Sequence, residues 1–177
     1  ELLECQNNQL STLDISNNNV LVSLDCSDNQ LSSLDVTNNT DLVQLYCQSN
    51  QIIALDLSNN IQLDEVVCSN NQIGTLDVSN NIILASLNCN NNQISSLDVS
   101  SNLGLMNLQC NFNQLTNLDV SMHIQLEGLS CSNNQLISVD ISNNTILGEL
   151  FCSNNQLISL NASNGNNQNM WDLECIN

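Results

Sequence analysis

Cysteine is the residue whose type and spacing in this chain most directly suggest chemistry. Eight cysteines recur every 21 residues and a ninth, Cys175, follows after 23: Cys5, Cys26, Cys47, Cys68, Cys89, Cys110, Cys131 and Cys152. Polar residues flank most of them, as in Asp25-Cys26-Ser27, so the thiols should point inward from a strand. Stacked repeats would hold their Cβ atoms further apart than the roughly 3.8 Å that a disulfide prefers. Because no C-x-x-C pair is present either, we expect buried, reduced thiols instead of disulfides or a metal site.

Aspartate forms a second series, nine residues after each of the first seven cysteines. In stacked repeats these carboxylates would share one outer face, where neighbours about 4.8 Å apart would repel by roughly 0.9 kcal/mol in water. Hydroxyls such as those of Ser16 and Thr37 could donate hydrogen bonds to them, and calcium could bridge neighbouring carboxylates. Two interpretations therefore stay open: a solvated, hydrogen-bonded ladder, or a weak calcium site at Asp14, Asp35, Asp56, Asp77, Asp98, Asp119 and Asp140. No other cofactor is expected.

Catalysis and nucleic-acid binding have no support in the residue types. The single histidine, His123, falls at a position where other repeats have Asn, and the serines, aspartates and cysteines are all accounted for by the repeat. The chain has no Lys or Arg against 18 Asp and Glu, so it cannot neutralise phosphates and would be repelled by anionic lipids. No apolar run approaches the roughly 20 residues of a membrane span. We therefore predict a protein that is not an enzyme, with no nucleic-acid partner and no membrane insertion.

The repeat itself indicates the elements that hold these residues. Each unit reads L-x-x-L-x-C-x-x-N-Q-L-x-x-L-D-V-S-N-N-x-x, and the Asn-Gln pair is invariant from Asn8-Gln9 to Asn155-Gln156. Alternation around Leu24 and Cys26 predicts a short strand with those residues inward, and Leu34-Asp35-Val36 predicts a second strand on the other side of the coil. Stacking about eight such coils supplies the continuous core that a single coil lacks. The invariant Asn should form a buried ladder at a turn, and a second Asn column runs Asn18, Asn39, Asn60, Asn81, Asn102, His123, Asn144 and Gly165.

This unit resembles the leucine-rich repeat in its short 21-residue form, called IRREKO-type, which is common in secreted and surface proteins of Bacteroidetes-like bacteria. The resemblance covers residues 1 to about 165. It implies a mainly β, right-handed solenoid with short parallel strands, an extracellular or bacterial cell-surface location, and a ligand face formed by the first strand of each coil. The remaining residues, 166–177, look like the start of a C-terminal cap with Trp171 as its lid. Since residue 1 falls inside a repeat, we expect the chain to be a segment of a longer protein.

The outward positions of the first strand vary among repeats, and these are where a ligand should bind. Two aromatic residues and several charged or amide side chains fall there, and one aromatic replaces a polar turn residue. The predicted contact residues are Tyr46, Val67, Phe151, Glu65, Gln44, Gln109, Glu149 and Phe112. The predicted function is a secreted or cell-surface binding or adhesion scaffold for a protein or glycan. The alternative is an acidic structural spacer, or an end-to-end assembly stabilised by cations, which would make no contacts through these residues.

Overall fold

The computed structural model describes residues 1–165 and 172–176, which form a solenoid of about eight stacked coils. Nine three-residue strands make one parallel sheet along one side, in the order β1-β2-β3-β4-β5-β6-β7-β9-β11, and β10 pairs with β8 on the other side. The strands are β1 Leu2–Glu4, β2 Ser23–Asp25, β3 Gln44–Tyr46, β4 Glu65–Val67, β5 Ser86–Asn88, β6 Asn107–Gln109, β7 Gly128–Ser130, β8 Ser138–Asp140, β9 Glu149–Phe151, β10 Ser159–Asn161 and β11 Asp172–Glu174. The described residues contain no helix, and therefore none that could cross a membrane.

The strands of the large sheet confirm the alternation in the sequence. The middle residue points inward in β2 to β7 and in β9, so that Leu24, Leu45 and Val66 are fully buried and lie in register on neighbouring strands. The cysteine that follows also points inward, as at Cys26, while the backbone pairing continues with the Cys26 N–H donating to the Tyr46 carbonyl at 2.9 Å. Each coil thus adds its apolar side chains to one continuous core, where each buried aliphatic side chain contributes roughly 1.5–3 kcal/mol.

The invariant Asn after each strand forms the expected buried ladder. Asn71 Nδ2 donates to the carbonyls of Cys47 at 3.0 Å and Cys68 at 3.1 Å. Asn71 Oδ1 accepts the N–H of Ile52 at 2.9 Å. One amide therefore satisfies backbone groups of its own coil and of the preceding coil, and the same pattern recurs at Asn29, Asn50, Asn92, Asn113, Asn134 and Asn155.

The residue just before this Asn adopts a left-handed conformation in every coil, with φ between 52° and 56°. It turns the chain out of the large sheet. Asn, Asp and Ser occupy most of these positions, and Asn and Asp tolerate this conformation because their short polar side chains bond locally. Phe112 is the exception, since a residue with a large side chain pays roughly 1–2 kcal/mol there.

The second strand predicted in each coil forms only near the C-terminal end. Among the described residues, strand pairing on that side is limited to β8 and β10, and the segment Leu34-Asp35-Val36 is not a strand. In these coils the neighbouring polar groups make other bonds: the Thr37 N–H donates to Asp35 Oδ1 at 3.0 Å. The Val36 carbonyl accepts Nδ2 of Asn60 at 2.9 Å. The expectation of a second strand in every coil was therefore wrong.

The second Asn column connects successive coils on this side of the solenoid. Members such as Asn60 and Asn81 reach back to two carbonyls of the preceding coil and are fully buried. His123 takes the same place and bonds the Val99 carbonyl through Nε2 at 3.0 Å. At the end of the column the sequence assignment was wrong: Asn164, not Gly165, donates to the Asn144 carbonyl, at 3.2 Å. Near the same end of the solenoid β8 and β10 pair, and the Ile141 N–H donates to the Asn161 carbonyl at 2.9 Å.

The segment predicted to begin a cap lies partly outside the described residues. Met170 and Trp171 fall there, so the lid predicted at Trp171 stays a prediction. Strand β11 continues the large sheet, with Glu174 in register with Phe151 of β9. The two additional residues in the spacing between Cys152 and Cys175 therefore lie in the connection, and do not change the register of the sheet.

The Asn ladder should be far more sensitive to substitution than the turn residue beside it. We expect Asn71→Ala to lower the free energy of unfolding by about 1–3 kcal/mol for each buried group left unpaired, here chiefly the Ile52 N–H and the Cys47 carbonyl. Asn70→Ala should cost less, and Asn70→Gly less still, because glycine accepts the left-handed conformation at no steric cost. Urea melts followed by circular dichroism measure the difference. Equal losses for Asn71→Ala and Asn70→Gly would contradict the ladder.

Candidate binding surface

The large sheet presents two rows of outward side chains, the first and third residues of each of its nine strands, which we call the outer strand face. Seven of the eight residues predicted to bind a ligand lie on it: Gln44, Tyr46, Glu65, Val67, Gln109, Glu149 and Phe151. The rows are aligned because the register between neighbouring strands is exact from β1 to β11, so each outward residue has the equivalent residue of the next coil beside it. The sequence period thus becomes a continuous surface whose composition changes from coil to coil.

Four of the predicted residues form one contiguous cluster on β3 and β4, which we call the tyrosine patch: Gln44, Tyr46, Glu65 and Val67. The Tyr46 hydroxyl donates to Glu65 Oε2 at 2.6 Å, and Gln44 Nε2 approaches the same oxygen at 3.5 Å. Val67 lies directly beside Tyr46 in the register. Burial, with a smaller effect from Glu65, raises the pKa of Tyr46 to about 12, so its hydroxyl remains a hydrogen-bond donor at neutral pH. The patch offers an oriented aromatic ring with a carboxylate at its edge.

An amide cluster follows on the next two strands. Gln109 Oε1 accepts both Asn88 Nδ2 and Asn90 Nδ2 at 3.2 Å. These side chains are exposed or half-exposed and bond to one another across strands. The hydrogen bonds order them even though they do not pack against the core. Amides arranged in this way can donate and accept on the outer side, as peptide and sugar ligands require.

The other predicted aromatics are not brought together with the tyrosine patch. Phe151 and Glu149 lie on β9, four strands beyond β4, or about 19 Å at the usual strand spacing. Phe112 is not on the strand rows but in the left-handed turn after β6, and it is 54% exposed. The three aromatics therefore belong to separate areas, and the tyrosine patch is the one place where several predicted residues meet.

The aspartate series lies outside the core on the second side of the solenoid, and local donors bond each carboxylate. Asp35 Oδ1 accepts the Thr37 hydroxyl at 2.6 Å and the Thr37 N–H at 3.0 Å. The backbone part of this motif recurs at Asp14, Asp56, Asp77, Asp98, Asp119 and Asp140. The hydroxyl bond is the larger cause of a lowered pKa at Asp14, Asp35, Asp56 and Asp140, and the N–H bond at Asp77, Asp98 and Asp119.

These contacts favour the hydrogen-bonded interpretation of the series. Repulsion from Asp35 and Asp77 acts on Asp56 in the opposite direction but is smaller than the two hydrogen bonds. The described residues include no group of three or more His, Cys, Asp or Glu side chains placed to hold a metal ion. Calcium binding by the series stays a prediction.

Acid should destabilise the fold through this series. A carboxylate whose pKa is lowered in the folded state contributes stability above the ordinary Asp pKa of 3.8 and loses it as pH falls through the lowered value. We therefore expect the melting temperature to fall from about pH 4 downwards, as thermal melts between pH 7 and pH 2 would measure. The control is Asp56→Asn/Asp77→Asn, whose amide oxygens still accept the N–H but do not titrate, so its acid slope should be shallower. A melting temperature that rises in acid would indicate that repulsion dominates.

The cysteine series forms a buried column from Cys26 to Cys131, and Cys5 at the end of the solenoid is half-buried. Burial raises the pKa of the Cys26, Cys68 and Cys131 thiols to about 12. Burial also raises the pKa values of Cys47, Cys89 and Cys110 well above the ordinary range. Since the thiolate is the nucleophile and the metal ligand, these six thiols are inert and serve as small apolar side chains.

The expectation that every cysteine is reduced was wrong for the last pair, because Cys152 and Cys175 form a disulfide. Pairing of β11 with β9 brings their Cα atoms to 4.9 Å, within the range that disulfides span. The sequence argument relied on strand spacing alone, which does not exclude a disulfide at this separation. Cys175 also differs from the other members in being exposed.

Alkylation should distinguish these three environments. In native buffer we expect Cys5 to react first and the six buried thiols to be protected until denaturant is added, because burial and raised pKa values suppress the thiolate. Cys152 and Cys175 should react only after reduction. Iodoacetamide labelling read by peptide mass spectrometry, with Cys5→Ser as control for the fast phase, measures this. Rapid native labelling at several positions between Cys26 and Cys131 would show that the column is open to solvent.

One exposed feature was not found from the sequence. Large aliphatic residues occupy the turn that leads back into the sheet in four consecutive coils: Ile61, Ile82, Leu103 and Ile124, all at least 52% exposed. The signal was available, because other coils have Asn19, Thr40 and Thr145 at this position. Their exposure, however, depends on how the turn is oriented in three dimensions.

Comparisons with known proteins agree with this architecture. No family model matches the sequence, and no curated protein matches it. The functional domain of InlJ from Listeria monocytogenes, described as including a cysteine ladder, is 38% identical with a TM-score of 0.73, over 88% of this chain and 40% of that one. A leucine-rich repeat protein of Leptospira interrogans is 27% identical with a TM-score of 0.89, over 100% of this chain and 50% of that one. Internalin C2 of Listeria monocytogenes is 20% identical with a TM-score of 0.86, over 99% of this chain and 79% of that one. At this identity the similarity bears on the fold alone.

The fold is therefore the parallel-strand solenoid of leucine-rich repeat proteins. The similarities to the InlJ domain and to the Leptospira protein support that family. The chain spans half or less of the length of the InlJ domain and of the Leptospira protein.

Proposed function

We propose that this chain is a non-enzymatic scaffold that binds a protein partner through the outer strand face, with the tyrosine patch at the centre of the contact. The observation that carries the proposal is the hydrogen bond of 2.6 Å from Tyr46 to Glu65, which orients an aromatic ring on an outward row where the repeat requires none. Equivalent positions in other coils hold Asn88 or Ser130, so the fold does not need an aromatic residue there. Tyrosine is among the residues that most often dominate the binding energy of protein interfaces.

The charge of the chain indicates the chemistry of the partner. With 18 acidic side chains and no Lys or Arg, every charged residue on the outer strand face is negative. A basic protein surface would be attracted over long range and could pair with Glu65 beside the ring. A glycan is the alternative ligand, since sugars also stack on aromatic rings and bond to amides such as those of Asn88 and Gln109.

We propose no catalytic activity because the reactive residues of the repeat already have roles in the fold. Six cysteines are buried with raised pKa values, and His123 is buried in the second Asn column against the Val99 carbonyl. Each aspartate of the outer series is bonded to the residue two positions on. In the described residues, the reactive side chains of the repeat are thus used for packing or for turns, and the similar solved structures are leucine-rich repeat proteins.

We also propose that the protein acts outside the cell, at a bacterial surface or after secretion, and that its repeat is of the 21-residue IRREKO type. The disulfide between Cys152 and Cys175 supports this location, because disulfides persist mainly in oxidising compartments. The invariant interval of 21 residues between the first eight cysteines supports the repeat type.

The test replaces the tyrosine patch by residues that the same positions hold in another coil. Tyr46→Asn/Val67→Asn copies Asn88, so the fold should be retained while affinity falls about tenfold or more, as truncation of an interface hot spot predicts. Surface plasmon resonance against a panel of purified basic proteins and a panel of glycans measures this. The control is Ile53→Ser, which removes a residue 64% exposed elsewhere and copies Ser32.

The outcomes distinguish the alternatives. Loss of a protein ligand in the double variant, with Ile53→Ser unchanged, supports the proposal, and loss of a glycan ligand instead favours the glycan. An affinity equal to wild type in the double variant contradicts the proposal. An acidic spacer or an end-to-end assembly would show no ligand whose binding depends on this face.

A further inference from the structure

Four consecutive coils carry a row of exposed aliphatic side chains at the turn between the second side and the large sheet. We call this row the edge stripe: Ile61, Ile82, Leu103 and Ile124, which are 52%, 62%, 52% and 60% exposed. The row lies at one repeat position, so its members are stacked one coil apart and span about 15 Å at the usual strand spacing. A continuous exposed apolar row of this kind is characteristic of an interaction surface, whereas single exposed aliphatic residues are ordinary.

The fold does not require these side chains. The turn is closed by a backbone hydrogen bond, from Leu84 N–H to the Asn81 carbonyl at 3.0 Å in a coil that carries Ile82. The corresponding bond, from Leu42 N–H to the Asn39 carbonyl at 3.1 Å, is made in a coil that carries Thr40 instead. Coils with Asn19 and Thr145 make the equivalent bond as well, between Leu21 and Asn18 and between Leu147 and Asn144. The aliphatic residues are therefore specific to four coils and have no part in forming the turn.

Neighbouring apolar residues widen the row. Met122 and Ile83 are 63% and 48% exposed at adjoining positions of the same turns. Around Leu103, Met122 and Ile124 the surface forms an open hollow of about 490 Å³, whose remaining lining is Ser121, Gln125 and Asn143. The hollow gives the stripe a depression into which a side chain of a partner can be inserted.

Acidic residues flank the members of the stripe in the sequence, and we call them the acidic borders. Asp77, Asp98 and Asp119 each precede a member of the stripe by five residues, and hydrogen bonds lower the pKa of each of them, so they are charged at neutral pH. Asp64 and Glu127 each follow a member of the stripe by three residues and are exposed. Because the chain has no Lys or Arg, a second copy would bring the same negative charge to this surface, and an anionic lipid surface would be repelled in the same way.

We propose that the edge stripe is a second docking surface, which binds a cationic amphipathic segment of a partner protein. The apolar side chains of the segment would lie on Ile82, Leu103 and Ile124, and its Lys and Arg side chains would pair with the acidic borders. Helix-in-groove recognition of this kind places apolar residues along one face of the ligand, and about ten helical residues cover 15 Å. The proposal is independent of the outer strand face.

The test uses a variant that the chain itself shows to be compatible with the turn. Ile61→Thr/Ile82→Thr/Leu103→Thr/Ile124→Thr gives four coils the residue that Thr40 and Thr145 provide in two others, and it leaves every charge in place. The probe is a synthetic helical peptide with a leucine face and a lysine face. Fluorescence anisotropy measures its affinity, and methyl NMR of Ile, Leu and Met locates it.

We expect the peptide to shift the methyl signals of the stripe and of Met122, and to bind the fourfold variant at least tenfold more weakly than wild type. A matched peptide with glutamate in place of lysine should not bind. The Tyr46→Asn/Val67→Asn variant should bind the lysine peptide as wild type does, which separates this surface from the outer strand face.

Several results would overturn the proposal. Equal affinity for the fourfold variant would show that peptide binding depends on net charge alone. Shifts confined to the outer strand face would place the peptide elsewhere, without affecting the function proposed for that face. Stripe-dependent dimerisation in sedimentation, or stripe-dependent binding to phosphatidylcholine vesicles without peptide binding, would assign the stripe to a second copy or to a lipid surface.

Discussion

The hydrogen bonds that one Asn side chain makes between two successive coils are the interaction on which the rest of this structure depends. After each strand the chain turns beneath the surface. Backbone N–H and C=O groups cannot reach water there, and leaving them unpaired would destabilise the fold. Asn71 bonds the carbonyls of Cys47 and Cys68 and the N–H of Ile52, so a single amide serves two coils. A coil displaced by one residue would lose these bonds and would turn its apolar residues outward. The ladder therefore holds the register, and the core and every surface row depend on that register.

A fixed register also separates residues that the fold needs from residues that it leaves free. Inward positions repeat with little variation, because each side chain must pack against its equivalents in the adjoining coils. Outward positions meet no such condition, and Tyr46 lies where another coil has Asn88, as Ile82 lies where another has Thr40. Residues of this second kind are where recognition can be built without cost to folding. In this chain they gather in two areas, the tyrosine patch on the sheet and the edge stripe on the turn.

Charge shapes both areas in the same way. The chain has no Lys or Arg beside its acidic side chains, and the aspartates of the outer series are stabilised by the N–H and hydroxyl groups of the residue two positions on. Such bonds lower the pKa of the carboxylates without cancelling their charge. The full negative charge therefore remains available to attract a partner, and like-charged surfaces are kept apart. Apolar residues bordered by carboxylates then favour a partner in which apolar and basic side chains are combined.

The sequence by itself determined the features that follow from the alternation of apolar and polar residues and from the repeat length of 21 residues. Leu24 and Cys26 were expected to point inward, and Asn71 was expected to lie in a buried ladder, because these patterns recur in every coil. The tertiary structure decided which of several possible partners each polar group takes. The second strand, which the repeat pattern predicts for every coil, pairs only at β8 and β10 among the described residues, although Asp140 of β8 bonds the Ser142 N–H as Asp35 bonds the Thr37 N–H.

Pairings between distant residues could not be read from the sequence either. The disulfide between Cys152 and Cys175 depends on β11 adding to the sheet in register despite the altered spacing, and the bond from Tyr46 to Glu65 joins two strands. The edge stripe was visible as Ile or Leu where other coils have Asn or Thr, but its exposure depends on the direction of a turn. A repeating pattern specifies which face a residue occupies, whereas the side chain that it meets there is specified only when neighbouring coils are stacked.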